Sequence, residues 1–156
     1  MPKVQDYMSG NILNLINKGF GLMRYFKVPA LGLIAKKYVY KELEKCDPRK
    51  IKIDHAVRLI QESRECAVGQ RVCNVLHKGA DSGESVFLDE LAIGLAQVGK
   101  ADLVSKEQAV KTIERHRQNP IMITRVSGKY LEICRSLPKN CIYWNSEKRG
   151  LRCIQR

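Results

Sequence analysis

This chain is organised around the stretch ECAVGQRVC, residues 65–73. Its two cysteines, Cys66 and Cys73, are seven positions apart, and Cys134 and Cys141 repeat that spacing. The short apolar run at residues 67–69 ends in glycine, which predicts a strand that enters a loop. Four soft ligands in two equally spaced pairs form the one arrangement in this sequence that indicates chemistry rather than packing.

Length and composition favour one domain in a reducing compartment. A chain of 156 residues is long enough to bury a core without disulfide bonds. Residues 1–10 are polar and lack the order of a secretory signal, so we expect a cytoplasmic protein. Six cysteines in that compartment indicate metal ligands, redox thiols or buried small apolar groups. The longest run without a strongly polar residue, residues 28–35, is too short to span a membrane.

The formal charge of +12 is unevenly placed along the chain. Residues 1–50 hold ten Lys and Arg against four acids, residues 51–100 hold six against seven, and residues 101–156 hold twelve against five. Basic ends raise the encounter rate with anionic partners. The expected partners are acidic protein subunits of a redox complex, an anionic membrane surface or nucleic acid. A solvated basic surface without a partner is the plain alternative.

Residues 1–46 predict a basic helical arm. Apolar residues recur three and four apart over residues 11–26, and a second helical run occupies residues 31–46. Gly19 and Gly21 weaken the first helix, so it needs a surface to lie against. Two interpretations of residues 11–45 stay open: an arm that docks on a partner or peripherally on a membrane, and an ordinary helical pair that covers the core.

Residues 47–156 predict a cysteine-containing α+β domain. Helices are expected at residues 55–63, 85–99 and 105–118, the last opened by a capping box of Ser105 and Gln108, and residues 78–84 predict a loop. Residues 121–126 and 129–134 flank Ser127-Gly128 and predict a tight hairpin. The expected fold is therefore α+β and mainly helical, with an N-terminal amphipathic helical arm and a short C-terminal β-hairpin.

Cys66, Cys73, Cys134 and Cys141 are the candidate ligands. Zinc sites usually separate paired ligands by about two to four residues, and the six intervening residues here fit that pattern poorly. Iron–sulfur clusters accept longer spacings because their ligands bind different irons. The turn at residues 137–140 could fold Cys141 back toward Cys134. Positive charge that would stabilise an anionic cluster is available from Arg64, Arg71, Arg135 and Lys139.

Three other interpretations of the cysteines stay open. Zinc could replace a cluster, and a reversible disulfide between the two pairs is favoured by the neighbouring arginines, which lower thiol pKa values. Free cysteines are also often buried as small apolar groups. The sequence alone does not separate these readings.

The order of the elements resembles small iron–sulfur proteins of anaerobic archaea and bacteria that carry ferredoxin-type cluster motifs. The resemblance covers about residues 50–141 and rests on the Ala-Val-Gly run before Cys73, the helix before Gly99, the capped helix and the Ile-Cys pair at Cys134. It implies a [4Fe-4S] cluster held by cysteines after the Ala-Val-Gly strand and after the Ile-Cys strand, at Cys73 and Cys134.

The chain departs from that family at several positions. Arg71 stands where such proteins tend to have another cysteine, residues 85–88 contain none, and only Cys141 follows Cys134 in place of a dense cysteine group. Cys66 and Cys141 could substitute as ligands, or the site could have become structural.

The leading hypothesis is an iron–sulfur electron-transfer protein or a non-catalytic subunit of an anaerobic redox complex. The alternative is a basic winged-helix-like regulator of nucleic acid, in which helices at residues 88–98 and 106–118 precede the hairpin. Its phosphate contacts would come from Arg115, Arg117, Arg125 and Lys129. A structural subunit with zinc or without metal is the third hypothesis. No glycine-rich phosphate loop or nucleophile-elbow serine is present, so no catalytic residue is assigned.

Overall fold

The structure is a computed structural model that describes residues 1–77 and 83–156. Its helices are α1 (Val4–Ser9), α2 (Asn11–Met23), α3 (Leu31–Glu44), α4 (Ile53–Glu62), α5 (Val72–Val75), α6 (Asp89–Gln97), α7 (Lys106–Glu114) and α8 (Ile142–Lys148). Its strands are β1 (Arg49–Ile51), β2 (Cys66–Gln70), β3 (Glu84–Leu88), β4 (Ala101–Val104), β5 (Ile121–Val126) and β6 (Lys129–Arg135). Most of the loop predicted at residues 78–84 lies outside the described residues.

Within the described residues the strands form one six-stranded sheet in the order β1-β5-β6-β3-β2-β4, and every neighbouring pair is antiparallel. The prediction of a mainly helical fold with a short C-terminal hairpin is therefore wrong in its β part. The predicted hairpin exists as β5 and β6, but it belongs to a sheet that extends across the whole molecule. The class of the fold is α+β.

Strand β3 shows why the sheet was underestimated. Residues 85–88 were expected to open a helix, yet they form a strand whose last three side chains, Val86, Phe87 and Leu88, are all buried. A strand covered on both faces reads as a continuous apolar run, and periodicity cannot separate such a run from the start of the helix that follows it.

The pairing register assigns each strand residue to one of two faces of the sheet. Val68 pairs with Val86 and Val86 pairs with Ile133, and since Cys66 lies two residues from Val68, it shares their face. Cys134 neighbours Ile133 on β6 and therefore lies on the opposite face. We call these the Cys66 face and the Cys134 face.

Helices α4 and α7 cover the Cys66 face. Their inward side chains and the strand residues beneath them are fully buried and apolar: Ala56, Ile60, Ala109, Ile113, Val86 and Ile133. The predicted capping box at the start of α7 is confirmed, because Ser105 Oγ accepts from the Gln108 N–H at 3.3 Å and Gln108 Oε1 accepts from the Ser105 N–H at 3.0 Å. This side of the molecule is a mainly apolar layer that also holds the buried Arg135, which donates to the Ile113 and Asn119 carbonyls.

Helices α1, α2, α3, α6 and α8 cover the Cys134 face. Tyr7 and Ile12 belong to the main core, and Met23, Val39 and Leu43 join a second apolar cluster with α8. Helices α2 and α8 approach closely at Gly19, where an added Cβ would lie 2.7 Å from Ile142 Cδ1. The inward side of residues 1–46 therefore acts as the helical pair that covers the core.

Candidate cysteine site

Cys66 is separated from the other three candidate ligands by the sheet. Its Sγ lies 3.1 Å from Ser63 Oγ and 4.0 Å from the carbonyl oxygen of Ile60, at the end of α4. The side chain is buried, and burial raises the pKa of its thiol. In this position Cys66 packs as a small side chain of the apolar face.

Cys73, Cys134 and Cys141 meet on the Cys134 face, and we call this group the thiol site. The Cys73 and Cys141 thiols are close enough to shift each other's pKa, and Cys134 interacts electrostatically with both. The three come from different elements: α5, strand β6 and the residue before α8. All six cysteines of the chain are free thiols.

Two short loops bring these residues together. The predicted turn at residues 137–140 is confirmed, because the N–H groups of Asn140 and Cys141 both donate to the Leu137 carbonyl at 3.0 Å. On the other side, the Arg71 N–H donates to the Gly83 carbonyl at 3.1 Å, after which α5 begins. The loops are joined by a hydrogen bond of 3.5 Å from Asn140 Nδ2 to Asn74 Oδ1.

The ionisation of the three thiols is unequal. Burial raises the pKa of Cys141, but hydrogen bonds from the Cys73 thiol and from the backbone N–H groups of Trp144 and Tyr143 outweigh it and lower that pKa to about 7. The hydrogen bond to Cys141, together with burial, raises the pKa of Cys73 well above its usual value. Burial and the charge of Glu132 raise the pKa of Cys134 well above its usual value. Of the three thiols, Cys141 is therefore the one whose pKa lies closest to neutral pH.

Several buried polar groups near the thiol site have no hydrogen-bond partner among residues 1–77 and 83–156. Arg71 is only 4% exposed, interacts electrostatically with Cys134 and Glu132, and leaves Nε and Nη1 without a hydrogen bond within the described residues. Ser85, which pairs with Cys134 across β3 and β6, has an equally unpartnered hydroxyl in that part of the chain. The Ser136 hydroxyl lies near the Cys141 thiol without a hydrogen bond of good geometry.

Gly83 makes room for the guanidinium of this site. A Cβ at that position would lie 1.5 Å from Arg71 Nη2, so any side chain would displace the cation. In the sequence, Arg71 is one of several cations near the cysteines that could stabilise an anionic cluster. The structure distinguishes it from the others because it is buried on the Cys134 face.

Glu132 is a feature of the site that the sequence reasoning missed. Its Oε2 accepts hydrogen bonds from Tyr7 Oη at 2.8 Å and from Thr124 Oγ1 at 3.0 Å. Burial raises the pKa of this carboxyl. The sequence did contain a signal for Glu132. It is an acid two residues before Cys134 in a predicted strand, and strand positions two apart share a face.

Two further cysteines lie on the same side of the sheet as the thiol site. Cys153 is buried, interacts electrostatically with Cys141 and Cys46, and has its pKa raised to about 12 by burial. Its Sγ donates to the Tyr143 carbonyl at 3.7 Å. Among the described residues, no three His, Cys, Asp or Glu side chains are arranged to hold a single metal ion.

The cations named in the nucleic-acid hypothesis lie at the surface, each beside an acidic side chain. Each of the four cations named for phosphate contact lies within ion-pair distance of an acid: Arg115 of Glu84, Arg117 of Glu114, Arg125 of Asp47 and Lys129 of Glu90, at 2.8, 3.9, 3.4 and 3.1 Å. Strand β4 also separates α6 from α7. In the part of the chain that the structure describes, these two helices are therefore not joined by a short turn, and nucleic-acid binding stays a prediction.

A large surface cleft lies away from the thiols. It has a volume of about 790 Å³ and is lined by both bases and acids, among them Lys50, Lys52, Asp54 and Glu114. Large clefts are the usual first candidate for an active site, but no cysteine or histidine lines this one. The chemistry-bearing residues of the chain are concentrated at the thiol site instead.

No family model, curated protein or solved structure matches this chain. Within residues 1–77 and 83–156, no helix combines the length and apolar character that crossing a membrane requires.

Proposed function

We propose that the chain binds an iron–sulfur cluster through Cys73, Cys134 and Cys141 and transfers electrons as part of a redox complex. The observation that supports this most strongly is the proximity of the buried Cys141 thiol and the half-buried Cys73 and Cys134 thiols to the buried Arg71, whose Nε and Nη1 have no hydrogen-bond partner within the described residues. A thiolate-ligated cluster is anionic, and hydrogen bonds to its sulfurs and burial set its reduction potential. The thiol site offers both hydrogen-bond donors and burial.

The residues of the chain prepare the site for an anionic group. Cys141 has a pKa of about 7 and supplies a thiolate near neutral pH without a large cost. Cys73 already accepts a hydrogen bond from the Ile142 N–H, and the Arg71 charge favours ionisation of Cys134. A bound cluster would supply one-electron redox chemistry. The ligands of a cluster bind different irons, so they need not be arranged as for a single ion.

Cys153 is the candidate for a fourth ligand in place of Cys66. Cys66 is on the other face of the sheet, whereas Cys153 is buried on the same side as the thiol site and interacts with Cys141. Its weak hydrogen bond to the Tyr143 carbonyl could be given up for a metal bond. This changes the ligand set expected from the sequence by one residue.

A second candidate function is supported by the proximity of Cys73 and Cys141, whose thiols shift each other's pKa in opposite directions. A thiolate beside a thiol is the arrangement from which a reversible disulfide forms. On oxidation an S–S bond would join the two sulfurs, Cys73 would release a proton, and two electrons would pass to an oxidant such as a peroxide. Cys134 and Arg71 have no required part in that reaction, which is why we rank it second.

One experiment separates these functions. Wild-type protein and the variants Cys134→Ser and Cys66→Ser are purified without oxygen, reconstituted with iron and sulfide, and assayed for both elements and for visible absorption. We expect the wild type and Cys66→Ser to bind iron and sulfide and Cys134→Ser to lose them. Cys66→Ser is the matched control, because it removes a buried strand cysteine from the opposite face.

Iron-free wild-type protein after reconstitution would overturn the cluster proposal, as would equal iron loss in both folded variants. The iron-free protein is then treated with peroxide and digested without reductant. A peptide linked through Cys73 and Cys141 would support the dithiol function, and free thiols at both positions would exclude it.

A further inference from the structure

The turn between α2 and α3, together with the first turn of α3, exposes a group of large apolar side chains. Leu31, Leu33 and Ile34 are 57%, 73% and 68% exposed, and Tyr25 and Val28 beside them are also exposed. We call residues 24–38 the α2–α3 tip. With Lys18 and Leu22, the tip residues Tyr25, Leu31, Ile34 and Tyr38 line an open apolar groove of about 430 Å³.

The fold itself does not use these side chains. The same helical hairpin already buries Met23, Phe26, Ala35 and Val39 in the second apolar cluster. Exposed apolar groups are common singly on protein surfaces, but contiguous apolar groups that the core does not need mark interaction sites. The outer side of the tip is therefore available to a surface outside the chain.

The tip is held in a fixed shape by its backbone. The Gly32 N–H donates to the Val28 carbonyl at 2.7 Å, and the Val28 N–H donates to the Tyr25 carbonyl at 2.9 Å. A Cβ at Gly32 would lie 2.7 Å from the Phe26 carbonyl oxygen, so glycine allows this close turn. The apolar side chains are thus presented on a pre-formed support.

Charge identifies the kind of surface that the tip fits. Residues 7–41 contain no Asp or Glu and six cations: Lys18, Arg24, Lys27, Lys36, Lys37 and Lys41. A segment that combines aliphatic side chains, tyrosines and lysines without acids matches the interface of an anionic bilayer, where apolar groups enter the acyl boundary and cations meet lipid phosphates.

We propose that the α2–α3 tip docks the protein on an anionic phospholipid bilayer. Leu31, Leu33 and Ile34 enter the headgroup region, and the surrounding lysines and arginine contact the lipid phosphates. Attachment is at the surface, because no helix of the described residues is suited to span the bilayer. This inference is independent of the thiol site and of any cluster.

The test is co-sedimentation with vesicles of phosphatidylcholine alone and of phosphatidylcholine mixed with phosphatidylglycerol. We expect binding to the mixed vesicles only, weakened by added salt. Replacing Lys27 and Lys37 with Gln should weaken it about fivefold for each lysine. Leu33→Glu together with Ile34→Glu should abolish it.

Leu103→Glu is the matched control. Leu103 is 55% exposed on strand β4, outside the tip, so this variant should bind vesicles as the wild type does. Circular dichroism checks that each variant is folded. The proposal is overturned if the wild type does not bind the mixed vesicles, binds both kinds equally, or is impaired equally by Leu103→Glu. Binding to acidic polypeptide but not to vesicles would overturn it in favour of an acidic protein partner.

Discussion

The two faces of the sheet differ in chemistry although both carry a cysteine at a corresponding place in the sequence. Cys66 lies among fully buried apolar side chains of α4 and α7. Cys134 lies beside two further thiols, a buried arginine and the hydrogen-bonded carboxyl of Glu132. The comparison teaches that one face supplies stability and the other holds the reactive groups. Variants on each face should therefore have different consequences.

The largest loss of stability is expected from Ile133→Ala on the Cys66 face. Ile133 is fully buried between β3 and β5, and truncating it leaves a cavity. The free energy of unfolding should fall by about 2–5 kcal/mol. Denaturant unfolding followed by circular dichroism measures it, with the exposed Leu103→Ala as control. A loss no greater than that of the control would contradict the assignment of this face as the main source of stability.

Glu132 on the Cys134 face should give an intermediate effect. In Glu132→Ala the hydroxyls of Tyr7 and Thr124 lose their acceptor, which costs about 1–3 kcal/mol for a buried group. Glu132→Gln keeps an acceptor oxygen and removes the free-energy cost of burying a charge. Its loss of stability should therefore be much smaller than that of Glu132→Ala. Unfolding curves of both variants at the same pH test this. Equal losses in the two would show that the hydrogen bonds are unimportant.

The wild type and Glu132→Gln should also differ in how their stability depends on pH. Because burial raises the pKa of Glu132 in the folded state, its contribution to stability is fully present below the pKa of the unfolded chain and is lost as pH rises through the folded pKa. The stability of Glu132→Gln relative to wild type should therefore increase from acidic to neutral pH. A difference that is constant over this range, or decreases, would contradict it.

The smallest effect is expected from Cys66→Ala. The change removes one sulfur from a packed apolar site and frees the Ser63 hydroxyl, which keeps its 2.7 Å hydrogen bond to the Ile60 carbonyl. The loss of stability should be roughly 1 kcal/mol, and bound iron should be unchanged. Thermal unfolding and iron analysis measure the two. Loss of iron with retained fold would contradict the proposed cluster site on the Cys134 face.

Local pattern was sufficient for elements that depend on nearby residues. The periodicity of residues 11–26 predicted α2, the Ser105 and Gln108 pair predicted the start of α7, and Ser127-Gly128 predicted the turn of the β5 and β6 hairpin. Capping, helical periodicity and tight turns involve residues within a few positions of one another. Strands β3 and β4 have no such local mark, since their partners lie far along the chain.

The sequence by itself determined the basic charge, the positions of several helices and the hairpin, and the presence of cysteines fit for chemistry. Only the tertiary structure decided which cysteines meet. The same seven-residue spacing leaves Cys66 on one face and brings Cys73 and Cys141 to the other with Cys134. The physical reason is that the facing of a strand residue depends on pairing register, and a shift of one residue would exchange the two faces.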